Sequence, residues 1–452
     1  MPLPRVTAKQ IRYLALEGGG GKGNAFAGAL RALADPRVGE DGQGILRFER
    51  YRPVSLKGFS GASAGAITSC MLSCGFDGEE IIAIMRGQNF DDFFDPLRPG
   101  YVPAVGRFVE KPKESVNREL LALVSSLCKL QTGIVSMRDL ARIFGELGRF
   151  ELQRFGSIIG GLLAVFPTLA KQLPAAARVI GGNVEAAGLS LVQDFGIFPG
   201  EAARRFIHKW VSIGAVRATS PQWMAQIPGW DHVAGDSVEA RRQRIHLLSE
   251  HWGRDGSKFP INHALSGMTF EEHQRTFGVK LAVTGTELET LKTHVFSANT
   301  TPQFLVEDAV RISMSLPGVF KPYVIRGADA ERASRGAIAS LEGVWVDGGL
   351  LNNLPLRVFD NEPGDNPKTL GLRLGLEERT RIDTLGDLLS VWPVSLGFLG
   401  SGESQTSFTL DNYDASVLLD PSPLGLLDFS ASDSVLADVH RSAFNATLSY
   451  FR

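Results

Sequence analysis

The sequence has few cysteines: its 452 residues include only Cys70, Cys74 and Cys128. So small a number argues against a disulfide framework. Two cysteines four residues apart, without histidine or further cysteine partners, also have poor spacing for zinc. Cys70 and Cys74 fall on one face of a predicted helix, where we expect them to pack as small apolar side chains. The cysteine content therefore indicates neither disulfide bonds nor a metal centre.

The sequence also lacks an excess of charge of either sign. Its 47 basic and 49 acidic residues give a formal net charge of −2, which argues against nucleic acid as a partner and against strong attraction to anionic lipid. Hydrophobic residues make up 44% of the chain and charged residues 21%, which is enough apolar material for a sizeable core. The length suits two or three domains, or equally a single α/β core with insertions.

Long charge-free apolar runs are missing as well. Residues 1–10 contain no apolar segment of the signal-peptide type, so the expected location is the cytoplasm, with export by a signal-less route left open. The apolar stretch 156–182 is interrupted by Pro167, and its charge-free part is shorter than the ~18–20 residues of a membrane-spanning helix. This stretch can be a buried helix, an active-site lid or an element that contacts a membrane surface, and the apolar run 388–399 can share that role. We therefore expect no transmembrane helix and leave peripheral membrane contact open.

A serine between two glycines stands where the sequence predicts a strand-to-helix turn. The largely apolar run 53–59 is typical of a buried strand, and residues 64–73 are typical of the start of a helix. Gly61, Ser63 and Gly65 have the spacing of a nucleophile elbow, which holds a strained serine at the end of a sheet. The glycines tolerate the tight turn because they lack a Cβ, and the helix dipole points at the hydroxyl. The pentapeptide is common by itself, so a plain surface turn is the alternative.

A second glycine cluster separates a short strand that begins near Ile11 from a helical run over 24–34. It consists of Gly18, Gly19, Gly20, Gly21, Lys22 and Gly23. Consecutive glycines before a helix leave backbone N–H groups free to bind negative charge. The P-loop spacing fails because glycine follows Lys22, and no acidic residue stands where a dinucleotide site needs one. An oxyanion hole is favoured because Ser63 offers a nucleophile. Lys22 either orients this loop and adds positive potential, or is a solvated cation.

An aspartate precedes a further pair of glycines. The β-branched and aromatic run 344–346 leads into Asp347, which is followed by Gly348 and Gly349. An aspartate at a strand end beside two glycines is placed to project into a site. The alternative interpretation is an Asx-turn, which is common where aspartate precedes glycine.

Together these motifs resemble those of the patatin-like phospholipase family. Gly18–Gly23 matches the family's G-G-G-x-[RK]-G oxyanion motif, Gly61–Gly65 its G-x-S-x-G elbow and Asp347–Gly349 its D-G-[GA] motif, in the family's order. The stretch 309–322, a predicted helix running into a Pro-Gly turn, is similar too. The resemblance covers about residues 11–75 and 279–375.

The resemblance implies a catalytic dyad without histidine. Ser63 would attack an ester carbonyl, Asp347 would take the hydroxyl proton directly, and the glycine loop would bind the oxyanion. The eight histidines agree with this, since none stands in a glycine-flanked strand-end context and only His440 follows Asp347, inside a predicted helix. A free aspartate has a pKa of ~3.9, so Asp347 needs partial desolvation to act as a base.

The expected fold is α/β and patatin-like, with a central, mostly parallel sheet flanked by helices. We expect the patatin-like domain over residues 11–375, with a helical insertion at about 100–270 that shapes the acyl pocket. Residues 376–452 are expected to form a C-terminal helical segment that packs on the core or extends it.

The expected function is that of a lipid acyl hydrolase of the phospholipase A or lysophospholipase type. It would form an acyl-serine intermediate on a phospholipid or other lipid ester, and neither step needs a metal or an organic cofactor. An acyltransferase or a triacylglycerol lipase with the same dyad is the alternative, and a catalytically silent binding protein is a further one. The oligomeric state is left open.

Overall fold

The computed structural model describes residues 6–39, 42–88, 93–110, 184–253, 256, 258–260, 267–360, 368–375, 415–425 and 431–452. The apolar stretches 156–182 and 388–399 lie outside the described residues, and so does Cys128. The interpretations given for them stay predictions. The same holds for the predicted domain limits.

The described residues form both strands and helices in alternation. The strands are β1 Ile11–Leu16, β2 Phe48–Glu49, β3 Arg52–Pro53, β4 Gly58–Gly61, β5 Tyr101–Ala104, β6 Arg107–Glu110, β7 Gly196–Phe198, β8 Lys280–Glu287, β9 Lys292–Ser297, β10 Gly318–Phe320, β11 Tyr323–Ile325, β12 Gly343–Asp347, β13 Lys368–Leu374 and β14 Ser416–Leu419. The α-helices are α1 Phe26–Ala34, α2 Ala64–Ser73, α3 Gly78–Gly87, α4 Val184–Asp194, α5 Glu201–Thr219, α6 Val238–Trp252, α7 Phe270–Phe277, α8 Val306–Ser313, α9 Ala328–Ala333 and α10 Asp433–Tyr450. Short 3₁₀ helices cover Ala8–Gln10, Gly20–Ala25, Pro221–Gln226, Trp230–His232 and Gly348–Leu350.

The chain divides into two compact units. The first consists of Met1–Asn89, Ala203–Met314 and Ile325–Arg452, and the second of Phe90–Ala202 and Ser315–Val324. All the site residues predicted from the sequence belong to the first unit.

The first unit is built on a mixed sheet with the order β12-β8-β4-β1-β13-β14, and β9 also pairs with β8. The pairs β1–β13, β1–β4, β4–β8 and β13–β14 are parallel, whereas β9 and β12 run antiparallel to β8. The near-continuous burial of β1 is typical of a parallel strand covered on both faces. The predicted α/β fold with a central, mostly parallel sheet is confirmed.

Helices cover this sheet and bring chain-distant segments together. Helix α2 packs against β1, β4 and β8, while α1 packs against α10 from the end of the chain. The approach of α1 to α10 depends on Gly28, where a Cβ would lie 2.1 Å from the carbonyl oxygen of His440. The C-terminal helix is therefore part of the first unit's core.

One predicted strand is displaced along the sequence. The run 53–59 was expected to be a strand, but β4 begins only at Gly58 and continues to Gly61. Val54 is 47% exposed, so it does not belong to the buried sheet. The sequence of β4, Gly-Phe-Ser-Gly, has weak strand propensity; pairing with β1 and β8 on both sides decides its conformation.

The second unit contains small sheets and a buried ion pair. Strands β5 and β6 form an antiparallel hairpin, and β7 pairs with β10 in parallel. The Lys321 ammonium lies 2.8 Å from the Asp194 carboxylate and also donates to the carbonyl oxygens of Arg98 and Tyr101. These bonds compensate the burial of the Lys321 charge and fix the start of the β5–β6 hairpin.

Within the described part of the chain, no helix is both long and apolar enough to span a bilayer.

Candidate active site

Ser63 joins β4 to α2 in a strained backbone conformation. Its φ is 50° and its ψ is −122°, a region that side-chain-bearing residues avoid unless their surroundings hold them there. The turn needs glycine at two positions because other backbone atoms lie very close to them. A Cβ on Gly61 would lie 2.3 Å from the carbonyl carbon of Gly65, and a Cβ on Gly65 would lie 2.2 Å from the oxygen of Leu16. The predicted strand–turn–helix context is therefore present, with the glycines where close approach requires them.

The backbone of Ser63 is held by a serine from a distant helix. The Ser63 N–H donates to Ser313 Oγ at 2.9 Å, and Ser313 is the last residue of α8. The carbonyl oxygen of Ser63 begins α2 by accepting from Ala66 and Ile67. Sequence reasoning found the helix of Ser313 but gave this residue no role. The only signal was a serine one turn before Pro317.

A buried ion-pair network fixes α8, the helix that ends at Ser313. Arg204 pairs with Asp308, and His208 Nδ1 lies 3.1 Å from Glu307 Oε1. Both carboxylates are fully buried. Because each has a cationic or hydrogen-bonding partner on α5, the network anchors the helix that contacts the elbow.

Asp347 reaches Ser63 from the end of β12. The Ser63 side chain lies close enough to the Asp347 carboxylate for a hydrogen bond from it to lower the pKa of Asp347. The carboxylate also accepts from the N–H of Gly349 at 2.7 Å, so the Asx-turn that the sequence offered as an alternative forms as well. Gly348 permits this turn, since a Cβ there would lie 2.3 Å from the oxygen of Thr284. The Asx-turn does not exclude the contact with Ser63, because a carboxylate can accept hydrogen bonds from both the Gly349 N–H and the Ser63 hydroxyl.

Burial changes the acidity of Asp347. The side chain is 4% exposed, and desolvation raises the pKa of Asp347 to about 7, although the hydrogen bonds from Gly349 and Ser63 lower it. A carboxylate with this pKa holds a proton far more readily than a solvated one. The partial desolvation that the sequence analysis required is therefore present.

The glycine loop packs directly against the elbow. A Cβ on Gly18 would lie 3.0 Å from Ser63 Cβ, and a Cβ on Gly23 would lie 2.9 Å from Ala64 Cβ. Larger residues at these positions would push the loop away from Ser63. Glycine at these two positions therefore allows the loop to approach the elbow closely, as an oxyanion hole would need.

The N–H groups of this loop are used differently. Gly18 donates to the oxygen of Asn353 at 3.0 Å, and Lys22 donates to the oxygen of Gly19 at 3.1 Å. The N–H groups of Gly19, Gly20 and Gly21 have no acceptor among the described residues. These three groups are available to an anion, whereas two of the six predicted positions use their N–H to shape the loop.

A carboxyl and an amide that sequence reasoning did not single out lie beneath the loop. Glu17 accepts from the N–H of Leu374 at 2.5 Å and from Asn353 Nδ2 at 3.2 Å. Desolvation raises the pKa of Glu17 to about 7, against the lowering effects of the Leu374 hydrogen bond and of nearby charges that include Lys22. The signal in the sequence was an acidic residue at the end of an apolar strand, directly before the glycines.

His440, which follows Asp347 in the sequence, lies in α10. Burial there lowers its pKa to about 4, with nearby Arg86 and Arg31 acting in the same direction. Its carbonyl faces Gly28 at the helix–helix contact. These contacts are those of a packing residue.

Comparison with known proteins gives one family match and several structural ones. VipD from Legionella pneumophila shares 15% identity with a TM-score of 0.43, over 98% of this chain and 67% of VipD. ExoU from Pseudomonas aeruginosa, solved with SpcU, shares 15% identity with a TM-score of 0.36, over 98% of this chain and 53% of ExoU. The chain thus spans about half the length of ExoU. A search of curated proteins finds no match.

The family model is the one described as patatin-like phospholipase, and it matches residues 14–360. This range is most of the chain and includes the glycine loop, the elbow at Ser63 and Asp347. The chain therefore belongs to the patatin-like phospholipase family.

Proposed function

We propose that this protein hydrolyses carboxylic esters of lipids, as a phospholipase A or lysophospholipase, through an acyl intermediate on Ser63. The observation that carries the proposal is the position of the Ser63 side chain beside the buried Asp347 carboxylate, whose pKa a hydrogen bond from Ser63 lowers. A nucleophile bonded to a base, beside free backbone donors, is the arrangement that acyl transfer needs. Membership of the family supports a lipid ester as the substrate.

In the first step, Ser63 Oγ attacks the ester carbonyl carbon while its proton passes to Asp347. The carbonyl π bond breaks, and its electron pair moves to the oxygen. Asp347 can serve as the base because burial raises its pKa to about 7, close to the working pH that favours general base catalysis. The tetrahedral intermediate then expels the alcohol, which takes the proton from Asp347.

In the second step, water replaces the alcohol. Asp347 accepts a proton from the water as the water oxygen attacks the acyl carbon. The intermediate then collapses as the bond from the acyl carbon to Ser63 Oγ breaks, Oγ takes the proton back from Asp347, and the fatty acid leaves. No histidine takes part in either step. The strained backbone of Ser63, with φ of 50°, keeps the hydroxyl at the end of the sheet throughout.

The N–H groups of Gly19, Gly20 and Gly21 are the donors that face the charge of both intermediates. They have no acceptor among the described residues, whereas the N–H of Ser63 is already donated to Ser313. Preorganised donors of this kind contribute several orders of magnitude to the rate of acyl transfer.

The test compares the full chain with Ser63→Ala and Asp347→Asn on vesicles or micelles of a phospholipid, a lysophospholipid and a triacylglycerol. We expect both variants to lose about 10⁴-fold in kcat while they keep the wild-type melting temperature or exceed it. Asp236→Asn is the matched control, since that carboxylate is 74% exposed, and it should retain full activity. Hydrolysis by Ser63→Ala at the wild-type rate would show that another nucleophile acts.

Product analysis in the same assay separates hydrolysis from acyl transfer. Free fatty acid as the acyl product indicates water as the acceptor. An acyl group recovered on an added alcohol or lysolipid would instead assign the chain as an acyltransferase with the same dyad.

A further inference from the structure

The side chain of Asn353 lies between the glycine loop and the turn that carries Asp347. A Cβ on Gly18 would lie 2.4 Å from Asn353 Oδ1, and a Cβ on Gly349 would lie 2.6 Å from the same atom. The side-chain nitrogen donates to the carbonyl oxygen of Gly18 at 3.1 Å and to Glu17 Oε1 at 3.2 Å. Asn353 is thus enclosed by both loops that meet at Ser63.

The hydrogen bond to the Gly18 carbonyl fixes the direction of the next N–H. In a planar trans peptide, the carbonyl of one residue and the N–H of the following residue point to opposite sides. Because the Gly18 carbonyl faces Asn353, the N–H of Gly19 faces away from it. This N–H is among those without an acceptor in the described part of the chain.

Glycine on both sides makes this peptide easy to turn. Gly18 and Gly19 have no side chains that restrict their backbone angles, and φ of Gly19 is −177°. A rotated Gly18–Gly19 peptide would present a carbonyl oxygen, rather than an N–H, to the developing negative charge. The loop therefore needs a group that holds the peptide in one orientation.

Glu17 fixes the orientation of the Asn353 amide. The amide nitrogen of Asn353 carries two hydrogens and contacts two acceptors, Glu17 Oε1 and the Gly18 oxygen. The carbonyl oxygen has no hydrogen to donate, and neither does the Glu17 carboxylate when it is ionised. A flipped amide would place its oxygen against these two acceptors, which is unfavourable. The second oxygen of Glu17 is in turn held by the N–H of Leu374 at 2.5 Å.

We propose that Asn353 is a positioning residue that keeps the Gly18–Gly19 peptide oriented for oxyanion binding, with Glu17 as its anchor. This inference rests on the proposed function, since it assigns a role in the same acyl transfer. The two loops are also joined by a backbone hydrogen bond, which the Gly18 N–H donates to the backbone oxygen of Asn353 at 3.0 Å. This bond does not need the side chain of Asn353, so it can remain when that side chain is replaced.

The test uses two inhibitors of equal chain length. A long-chain trifluoromethyl ketone adds to Ser63: the serine oxygen bonds to the carbonyl carbon, the π electrons move to the oxygen, and the proton passes to Asp347. The matching secondary alcohol has the same chain but forms no oxyanion. Asn353→Ala should lower the affinity for the ketone by about 10²-fold and lower kcat by a similar factor. KM and the affinity for the alcohol should be unchanged.

Two further variants complete the design. Asn352→Ala is the matched control. Asn352 is the neighbour of Asn353, and within the described residues only its backbone makes hydrogen bonds, so this variant should behave as wild type. Asn353→Asp keeps the size of the side chain but removes the amide donor, so it should lose ketone affinity as Asn353→Ala does. It decides the question if Asn353→Ala does not fold.

Three outcomes would count against one idea or the other. Unchanged ketone affinity in Asn353→Asp would overturn the positioning role. Equal loss of ketone and alcohol affinity would also overturn it, because it would show a structural defect of the whole site. A wild-type protein that neither hydrolyses any ester nor binds the ketone more tightly than the alcohol would contradict the proposed function itself.

Discussion

At the scale of single residues, the site combines two carboxyl groups of raised pKa. Asp347 contacts Ser63, and Glu17 lies beneath the glycine loop, each with a pKa raised to about 7 mainly by desolvation. The first is the proposed base, and the second is the proposed anchor of Asn353. Both assignments make the protein's behaviour depend on pH near neutrality.

The first residue-scale prediction concerns the pH dependence of the reaction. Since Asp347 acts in its ionised form and its pKa is about 7, kcat/KM should rise with pH through neutrality and level off above about pH 8. Steady-state kinetics from about pH 5 to 9 measure this. Glu17→Gln separates the two groups, because the rise that remains in this variant belongs to Asp347. A flat profile across this range would exclude Asp347 as the base.

The second residue-scale prediction concerns stability. Asp347 has a folded-state pKa raised from 3.8 to about 7, so between these values the folded protein binds more protons than the unfolded one, and its stability falls as pH rises. Asp347→Asn removes the buried charge and should raise the melting temperature at pH 8 but change it little at pH 5. Thermal unfolding at both values measures the difference.

The control for that prediction is Asp236→Asn, where the sign is reversed. The hydrogen bond from Arg241 lowers the pKa of Asp236, so this carboxylate adds stability when it is ionised. Its loss should lower the melting temperature slightly at pH 8. A melting temperature of Asp347→Asn below wild type at pH 8 would contradict the assigned cost of burying Asp347.

At the scale of elements, the elbow depends on how closely β4, α2 and β1 approach each other. The pentapeptide predicted a strained serine between a strand and a helix, and the structure has this arrangement, with β4 ending at Gly61 and α2 beginning at Ala64. Pairing across the sheet moved the strand toward the serine. Contact with β1, rather than local preference, explains why a glycine is needed at 65.

The element-scale prediction tests this contact. Gly65→Ala places a Cβ 2.2 Å from the oxygen of Leu16 and should destabilise the fold by about 1–3 kcal/mol, as overpacking does, with loss of activity because the elbow moves. Gly87→Ala is the matched control, since a Cβ there meets nothing within 4 Å. Denaturant unfolding of both variants measures the effect. Equal stabilities would show that the elbow can shift without cost.

At the scale of the whole molecule, the core extends beyond the family match. The match ends at residue 360, yet β13 and β14 continue the same sheet and α10 packs on α1. Val439, Ala443 and Leu448 of α10 are buried. The first unit therefore needs residues that the family motifs do not include.

The molecule-scale prediction follows from this packing. Removal of residues 431–452 uncovers the face of α1 around Gly28 and should lower the melting temperature by more than 10 °C, or prevent soluble expression, because several buried apolar side chains are lost at about 1.5–3 kcal/mol each. Removal of 451–452 alone is the control and should have little effect. A shortened protein with wild-type stability would show that α10 is dispensable for the core.

The fold class, the family and the order of the motifs could be read from the amino-acid sequence alone. Glycines that stand where a chain must pass closely, and apolar runs of strand and helix length, are local features, so the sheet-to-helix turn at Ser63 and the strand that ends at Asp347 could be predicted. The α/β fold and the family are confirmed. The catalytic roles of Ser63 and Asp347 stay predictions until the variants are assayed.

The distant groups that come together around Ser63 are set by the folding of the whole chain and could not be predicted from the sequence. Ser313 on its backbone N–H, Asn353 on the Gly18 carbonyl and Glu17 beneath them come from segments far apart in the chain. No local pattern marks such contacts, because they depend on how the sheet is assembled. Glu17 and Ser63 follow the parallel strands β1 and β4, whereas Asn353 follows the antiparallel strand β12. The raised pKa of Asp347 has the same origin, since burial by the assembled fold removes the water that keeps a free aspartate acidic.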